Sequence, residues 1–329
     1  MTKKKSISII IPNYNGKHLL EEYLKSTIAA AEYSKVPYEI IIIDDGSTDD
    51  SVHFLQENYP QVVLIVNERN RGFSYSCNRG IKRAQYELIL LLNSDVKLTV
   101  NYFEQQWRYF EYPDTFGVMG RIMNMKKNKI EDAARCLDFR GCKMKASRFY
   151  YSTDPADFTT TAYLSGANAL VDARKLREIG GFDEIFSPFY SEDFDLSIRA
   201  WRLGWKCYYD HKSICFHHIK ASTSRYKTKE WVNYIYYRNK LMVHAIHLNG
   251  PLLALWYFQL LCIEFLPKLL LGNTWIIKSY ISFFRQLEEV RRSKKRFERL
   301  MNNHESDLSV IDVMKIMREP LKEQSLVWL

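Results

Sequence analysis

The chain has 329 residues, of which 47% are hydrophobic, and it carries a formal net charge of +9. This length and composition suit one large catalytic domain with an appendage and exclude wholesale disorder. The six cysteines form no C-x-x-C pair, which excludes a disulfide scaffold or zinc site and favours a reduced, cytosolic setting. Basic clusters at residues 3–5 and 278–299 suit phosphate-bearing partners. Because no nucleic-acid-binding module accompanies them, we expect anionic lipid or a phosphorylated substrate and no nucleic acid.

The first hundred residues alternate predicted strands and helices. Apolar runs predict strands at 6–11, 39–43, 62–66 and 87–92, and amphipathic runs predict helices at 18–31, 51–58 and 74–83. Continuous apolar strands separated by helices predict an α/β fold with a mostly parallel central sheet, covered by helices on both faces. In such sheets ligands bind outside the carboxyl ends of the strands, where the polar clusters 13–16, 44–50 and 93–95 fall.

The rest of the chain is less regular. An aromatic helix is predicted at 102–112 and a strand at 213–216. Residues 251–284 are strongly apolar, but their longest uncharged run is about 16 residues, short of the roughly 20 needed to cross a bilayer. We therefore expect an interfacial or re-entrant helical pair, with packing against the domain as the alternative. The predicted division is a catalytic domain at 1–228 and a helical, membrane-interfacial extension at 229–329.

Three carboxylates, Glu192, Asp193 and Asp195, follow an aromatic loop and open an amphipathic run. For Asp195, the simplest interpretation is a helix cap or a partner of the helix dipole. That interpretation does not explain Glu192 and Asp193, which stand beside Phe189 and Tyr190. Carboxylates held near aromatic surface are candidates for a general base.

Two further acidic motifs end predicted strands. An acid in the Asp44-Asp45 pair can accept the imide hydrogen of a uracil or thymine ring, and Tyr14 can stack on that ring. Taken alone, this motif is equally well interpreted as an ordinary acidic turn. Asp95 ends the fourth strand, where a divalent cation bridging two phosphates needs an oxygen ligand, and Asn93 can add a neutral contact.

Together these segments resemble the family-2 glycosyltransferases, inverting enzymes with the A-type nucleotide-sugar fold (Rossmann-like). The resemblance runs in unbroken order over residues 5–225. Within the family, the sequence most resembles the rhamnosyltransferase-like branch that builds bacterial cell-surface polysaccharide. The matching segments are IIIPNYNG at 9–16, IIIDDGSTD at 41–49, Asn67-x-x-Asn70-x-Gly72-Phe73, NRGI at 78–81, LLNSD at 91–95, SGAN at 165–168, GGFDE at 180–184 and Glu192-Asp193-x-Asp195-Leu196-x-x-Arg199.

The resemblance implies a role for each matched residue. Asp193 would be the general base that deprotonates the acceptor, and Glu192 would position the acceptor. Asp95 would hold Mg²⁺ or Mn²⁺ together with His218, chosen over His217 because of its distance to the Ser/Thr cluster at 222–224. In the family's D-x-D motif the first acid is here replaced by Asn93. The nucleotide would contact Pro12, Tyr14, Asn15, Asp44, Asp45, Asn70, Gly72 and Ser94, and the donor sugar and acceptor would contact Ser165, Gly166 and Ala167.

The implied reaction moves a sugar from a UDP- or dTDP-sugar to a hydroxyl of a glycan or lipid-linked acceptor in cell-surface polysaccharide synthesis. The enzyme would be cytoplasmic and peripheral on the inner face of the cell membrane, against an anionic surface. A nicotinamide enzyme is excluded because the first turn lacks G-x-G-x-x-G. A non-catalytic sugar-nucleotide-binding scaffold is disfavoured by the intact Asp45, Asp95 and Asp193. A processive synthase would need several long spans and a Q-x-x-R-W motif, and the sequence has neither.

Overall fold

The structure is a computed structural model that describes residues 3–218 and 228–329. The Ser/Thr cluster at 222–224 lies outside the described residues. The strands are β1 (Ile7–Asn13), β2 (Tyr38–Asp44), β3 (Val63–Val66), β4 (Leu88–Leu92), β5 (Val96–Leu98), β6 (Thr115–Asn124), β7 (Ile130–Asp132), β8 (Ala134–Arg140), β9 (Lys143–Ser152), β10 (Thr159–Thr160), β11 (Asn168–Asp172), β12 (Lys206–His217) and β13 (Leu326–Trp328).

Helices flank these strands and make up most of the C-terminal part. They are α1 (Lys17–Ser34), α2 (Ser51–Asn58), α3 (Phe73–Arg83), α4 (Ala173–Glu178), α5 (Glu192–Arg202), α6 (Lys229–His247), α7 (Gly250–Gln259), α8 (Leu266–Leu270), α9 (Trp275–Arg285), α10 (Leu287–Asn303) and α11 (Val310–Arg318). A π-helical segment, Leu260–Phe265, joins α7 to α8.

One large sheet organises the described residues, in the order β10-β12-β6-β11-β4-β1-β2-β3. The pairs β1–β2, β1–β4, β2–β3 and β6–β12 are parallel, whereas β11 runs antiparallel to β4 and β6. Strands β5 and β7 extend the sheet beside β12 and β6. A smaller antiparallel sheet has the order β13-β9-β8. The predicted α/β fold with a mostly parallel central sheet is therefore confirmed.

The central strands are buried on both faces because nearly every side chain in them is apolar. In β1, Ile7, Ile9 and Ile11 belong to one hydrophobic cluster, and Ile10 belongs to the cluster on the opposite face. This alternation follows from the two-residue period of a strand. Helix α3 approaches the second face closely at Gly80, where an added Cβ would lie 2.6 Å from Ile10 Cγ2.

The predicted helix at 102–112 is wrong. The chain there forms turns and then a 3₁₀ helix, Trp107–Glu111. Tyr102, Phe103, Tyr109 and Phe110 are all buried, so this segment has no single apolar stripe facing one partner. It fills the space under β6 and β12 instead, and the Tyr102 hydroxyl donates to the carbonyl oxygen of Asn168 over 2.8 Å.

The C-terminal helices share a core with the sheet. Trp256, Phe283 and Val313 belong to the same buried cluster as Ile10. The ring of His244 in α6 stacks on Trp256, with centroids 4.7 Å apart. This contact and the shared core therefore fix α6 and the helices that follow it against the sheet.

The segment from α7 to α8 leaves one side uncovered. By length and composition, the helix Gly250–Leu270 is apolar enough to cross a membrane, and 11% of its most apolar window is buried. We call its uncovered side the exposed apolar face. It is formed by Leu255, Phe258, Leu261, Ile263, Leu266, Leu270 and Leu271, each between 43% and 87% exposed.

Candidate active site

The carboxyl ends of β1 and β2 are tied together beneath the surface. Asn13 and Asp44 are register partners, and Asn13 Nδ2 donates to Asp44 Oδ2 over 3.0 Å. Asp44 Oδ1 accepts from the Ser47 amide over 2.9 Å. Asp44 is fully buried, so its carboxylate supports the turn at 44–50 from inside the protein.

The turn after β1 presents an aromatic side chain beside this acidic turn. Asn15 Oδ1 accepts from the Thr48 amide over 2.7 Å, and the Asn15 amide donates to Ser47 Oγ over 2.8 Å. These two bonds join the turn at 13–16 to the turn at 44–50. Tyr14, between Asn13 and Asn15 in the first of these turns, is 40% exposed, and Pro12 is partly buried.

Asp45 organises the loop that precedes α3. Its Oδ1 accepts from Asn67 Nδ2 over 2.7 Å and from the Arg71 amide over 2.9 Å, and its Oδ2 accepts from the Gly72 amide over 2.8 Å. Gly72 has φ +92°, and an added Cβ would lie 3.1 Å from the backbone of Pro188. The loop that carries Asn70 is thus held between Asp45 and the segment that leads to α5.

Asp95 meets a histidine from β12. His217 Nε2 lies 3.3 Å from Asp95 Oδ1, and His217 Nδ1 lies 3.8 Å from Glu131 Oε2. Burial tends to lower the pKa of His217, but the hydrogen bond to Asp95 and the nearby carboxylates outweigh it and raise the pKa. The ring of His218 instead lies 3.1 Å from the Tyr23 hydroxyl, and its amide donates to the Asp95 carbonyl oxygen. Of the two histidines, the structure brings the ring of His217 to Asp95.

Side chains of the types that bind metal ions lie around Asp95, but they do not by themselves complete a metal site. Among residues 3–218 and 228–329, no group of three or more His, Cys, Asp or Glu side chains is arranged to hold a metal ion. Mg²⁺ usually takes only one or two carboxylates besides substrate phosphates and water. Glu131 Oε2 accepts no hydrogen bond from the described residues, and burial raises the pKa of Glu131. Asp95 and His217 would therefore supply only part of a ligand set, with Glu131 near His217.

Asp193 has the electrostatics expected of a base that works near neutral pH. Its side chain is half-buried at the start of α5, and Oδ1 accepts from the Phe194 amide over 2.8 Å. Burial raises its pKa to about 6, and the negative charge of Asp132 adds to the rise. Arg135, paired with Asp132 at 3.1 Å, opposes the rise.

The other two acids of this segment differ from Asp193. Glu192 is buried, its Oε2 accepts no hydrogen bond from the described part of the chain, and burial together with the charge of Asp193 raises its pKa well above the usual range. Asp195 is buried too, but it pairs with Arg199 at 2.8 Å and with His247 Nε2 at 2.9 Å. Burial opposes ionisation there, but Arg199 and His247 overcome it and lower the pKa of Asp195. Asp195 is thus a buried structural anion.

The loop before α5 is held by the helix after residue 228. Asn239 Nδ2 lies 2.6 Å from the carbonyl oxygen of Phe186, 2.9 Å from that of Phe189 and 2.8 Å from that of Tyr190. Tyr190 and Ser191 both have left-handed backbones, with φ +74° and +75°. Such conformations cost about 1–3 kcal/mol each and persist where surrounding contacts impose them.

The loop at 165–167 lies between these groups. An added Cβ on Gly166 would lie 3.1 Å from Phe73 Cζ, beside the loop that Asp45 holds. The Ala167 carbonyl oxygen accepts from the Asn93 amide over 3.2 Å, two residues before Asp95. Ser165 is mostly buried, and the preceding amide of Leu164 donates to Ser197 Oγ in α5 over 3.0 Å.

Shared neighbours connect the acidic positions. After burial, the charges of Glu192 and Asp45 both raise the pKa of the buried Cys77 thiol. Asp132 acts on His217, which contacts Asp95, and also on Asp193. Sequence reasoning missed Glu131, Asp132 and Arg135, since they lie on β7 and β8, outside the matched motifs.

The chain belongs to the glycosyl transferase family 2, whose family model matches residues 8–180, more than half of the sequence. A second family model, glycosyltransferase (GlcNAc), matches residues 104–321. A curated relative, undecaprenyl-phosphate 4-deoxy-4-formamido-L-arabinose transferase of Pseudomonas syringae pv. syringae (strain B728a), is 37% identical over 98 residues. That match covers 28% of this chain and 29% of the relative.

Solved structures share the A-type fold. A structure of GalNAc-T7 with UDP, GalNAc and Mn²⁺ aligns with a TM-score of 0.63 and 14% identity over 98% of this chain, which spans 58% of that protein. Residues 1–349 of S. aureus TarS with UDP-GlcNAc align with a TM-score of 0.54 and 13% identity, covering 97% of this chain and 92% of that one. A Pyrobaculum calidifontis mannosyltransferase with GDP-Man and Mn²⁺ gives a TM-score of 0.51 at 14% identity, over 98% of this chain and 87% of that one. At these identities the likeness concerns the fold.

Proposed function

We propose that the protein is a metal-dependent, inverting glycosyltransferase. It moves a sugar from a UDP- or dTDP-sugar to a hydroxyl of a glycan or lipid-linked acceptor in cell-surface polysaccharide synthesis. The observation that carries the proposal is the link through Asp132 between Asp193, a carboxyl with a pKa of about 6, and the Asp95–His217 pair. A base and a cation site that share one charged neighbour suit transfer between an alcohol and a diphosphate ester.

The nucleotide binds at the joined turns after β1 and β2. Tyr14 stacks on the base beside Pro12, and Asp45 contacts the base while it holds the loop of Asn70 and Gly72. Asn15 and Asp44 support the shape of the nucleotide-binding turns, because their side chains form hydrogen bonds within those turns. Ser94 lies next to Asp95 at the diphosphate. UDP is favoured because UDP or UDP-GlcNAc is bound in two of the solved relatives.

Mg²⁺ or Mn²⁺ binds at Asp95 and His217, with Glu131 beside them. When bound, the ion neutralises charge on the departing diphosphate. Asp95 supplies a carboxylate, and His217 supplies a ring nitrogen that must lose its proton to become a ligand. The Mn²⁺ in two of the solved relatives supports the use of a divalent cation. His218, whose ring contacts Tyr23, is proposed to support the Asp95 backbone instead.

On the acceptor side, Asp193 takes the proton of the attacking hydroxyl. The acceptor oxygen forms a bond to the anomeric carbon while the bond to the diphosphate breaks, and the diphosphate carries away the electron pair. Attack occurs on the face opposite the leaving group, so the anomeric configuration inverts. Glu192, kept protonated by burial, donates a hydrogen bond that positions the acceptor. Ser165, Gly166 and Ala167 line the space between donor sugar and acceptor.

Residues 229–329 form an extension that places the catalytic domain, 1–228, on the inner face of the cell membrane. Trp256, Gln259 and Glu264 direct one side of the 250–270 helix toward the protein, where they stack or hydrogen-bond. A helix anchored along its length in this way suits an interfacial position better than a crossing one. Basic residues in α10 then face the anionic headgroups.

A donor screen tests the proposal. UDP-, dTDP- and GDP-sugars are added to the purified protein with and without Mn²⁺, and the melting temperature is followed. We expect a UDP- or dTDP-sugar to raise the melting temperature in the presence of Mn²⁺, because a ligand that binds only the folded state stabilises it. Product formation with the stabilising donor then separates an enzyme from a non-catalytic sugar-nucleotide-binding scaffold. If no nucleotide sugar stabilises the protein in either condition, the proposal is wrong.

A further inference from the structure

A basic cavity lies between the β8–β9 hairpin and the helix that carries the exposed apolar face. Its volume is about 450 Å³. The lining includes Arg140, Lys143, Lys145, Tyr237, Glu264 and Lys268. None of these residues takes part in the proposed transfer reaction.

The cavity holds more positive than negative charge. Glu264 is its single lining carboxylate among the described residues, and it is shared by Lys143 at 2.6 Å and Lys240 at 2.7 Å. Arg140, Lys145 and Lys268 also line the cavity. Burial and the charge of Lys143 lower the pKa of Lys240 to about 7, although Glu264 opposes both effects. An anion entering the cavity would relieve this excess charge.

Side-chain contacts fix the shape of the cavity. Gln259 Oε1 accepts from the Cys142 amide over 2.6 Å, and Gln259 Nε2 donates to the Arg140 carbonyl oxygen over 2.9 Å. Gly141 between them has φ +62°, and an added Cβ would lie 2.3 Å from Gln259 Oε1. The hairpin tip is therefore clamped onto α7. The Tyr237 ring lies 4.9 Å from Lys240 Nζ and 5.3 Å from that of Lys268, which holds the opposite wall.

The cavity borders the exposed apolar face. Ile263 lines the cavity and is also 66% exposed as a member of that face. Lys268 lines it from the next turns of the same helix, and Leu270 beyond it is 87% exposed. A phosphate in the cavity can thus be attached to a hydrocarbon chain that lies along the apolar face.

Aromatic side chains link the cavity to the segment before α5. Tyr236 in α6 packs edge-on against Tyr237, which lines the cavity, with ring centroids 5.7 Å apart. Its ring packs edge-on against Tyr190, with centroids 6.1 Å apart, two residues before Glu192. A short row of aromatic side chains therefore connects the cavity with the start of α5.

We propose that this cavity binds the phosphate or diphosphate of a membrane lipid that carries the acceptor sugar. The basic side chains bind the phosphate, the exposed apolar face contacts the lipid chain, and the sugar extends past Tyr236 and Tyr190 toward Asp193. The assignment of the lipid as acceptor depends on the proposed transferase function, whereas binding of the lipid phosphate does not.

The test compares vesicle binding by the wild-type protein and two triple variants. The cavity variant is Arg140→Gln, Lys145→Gln, Lys268→Gln, which leaves the Lys143–Glu264–Lys240 group intact. The control is Arg83→Gln, Lys82→Gln, Lys25→Gln, which makes the same charge change at exposed positions of α1 and α3. Phosphatidylcholine vesicles contain either undecaprenyl phosphate or phosphatidylglycerol at matched surface charge, and binding is measured by flotation. The single variant Lys145→Gln is measured as well, because it changes the fold less than the triple variant. The melting temperature of every variant shows whether it is folded.

We expect the wild-type protein to bind the undecaprenyl phosphate vesicles more tightly than the phosphatidylglycerol vesicles. The cavity variant should lose about tenfold or more in affinity for the former, and the control should lose little. If the wild-type protein shows no preference, or if the cavity variant keeps it, the proposal is wrong. An equal loss on both kinds of vesicle would also overturn it, because the cavity would then bind anionic headgroups in general. Donor-induced stabilisation, measured in parallel, reports separately on the transferase function.

Discussion

Asn239 Nδ2 in α6 lies 2.8 Å from the carbonyl oxygen of Tyr190, the second residue before α5 and its acidic start. The same amide nitrogen reaches two further carbonyl oxygens of that loop, at Phe186 and Phe189. A neighbouring bond from the Arg238 guanidinium to the Ser187 carbonyl oxygen adds to this support. The position of the candidate base Asp193 therefore depends on a helix from the C-terminal extension.

Replacing Asn239 with Ala should lower the turnover number and the stability together. The loop carbonyls lose their buried donor, which costs about 1–3 kcal/mol. The KM for the donor should change little, because the nucleotide turns lie elsewhere in the fold. Urea unfolding and steady-state kinetics measure these effects, with exposed Asn303→Ala as the matched control. Unchanged turnover in Asn239→Ala would show that α6 does not position the base.

The transfer rate should depend on pH through Asp193. The carboxyl must be ionised to accept the acceptor's proton, and burial raises its pKa to about 6. The ionised fraction, and with it kcat/KM, should fall by about tenfold for each pH unit below this value. The profile is measured from neutral to acidic pH with saturating metal. A rate that stays constant through pH 6 and below would contradict the assignment.

His217→Ala should raise the Mn²⁺ concentration needed for half-maximal activity by roughly tenfold or more, because Asp95 would lose its partner in holding the ion. His218→Ala should have the smaller effect, since its ring contacts Tyr23 instead of Asp95. His53→Ala, at an exposed position of α2, is the control. The measurement is a Mn²⁺ titration of activity. A larger effect from His218→Ala than from His217→Ala would reverse the assignment of the ligand.

Asp45→Asn should weaken donor binding. The carboxylate accepts three hydrogen bonds from the Asn67–Gly72 loop, and an amide cannot accept all of them without bringing its own NH₂ against a donor. We expect the stabilisation by a UDP-sugar to be largely lost in a thermal-shift titration. Asp50→Asn, whose side chain is 75% exposed, should retain it. If Asp45→Asn binds the donor like the wild-type protein, then Asp45 does not organise the nucleotide site.

The N-terminal half of the fold could be predicted from sequence because its signals are local. Apolar runs and amphipathic runs predicted β1 to β4 and α1 to α3 to within three residues at each end, and α2 at the observed bounds. The antiparallel β11 and the small sheet of β8, β9 and β13 could not be predicted. Their pairing joins distant segments, as between Leu326 and Ser152, and no spacing in the sequence encodes it.

The candidate site, too, could be predicted from sequence only where its signals are local. Asp45, Asp95 and Asp193 could be selected because each stands at a strand end or helix start within a motif. Arg135 could not, since it acts on Asp193 only through the folded arrangement of β8 and α5. The choice between His217 and His218 depends likewise on the register of β12, in which His217 pairs with Val96, directly after Asp95, and that register cannot be deduced from sequence.

The Asp193→Asn variant tests the central claim most directly, because it keeps the size of the side chain and removes only its capacity to take a proton. Donor binding is measured by calorimetry and sugar transfer by product formation, at neutral pH with saturating Mn²⁺. We predict unchanged donor affinity and a transfer rate lowered by about 10²–10⁴-fold. Normal turnover in Asp193→Asn would contradict the assignment of Asp193 as the base that deprotonates the acceptor.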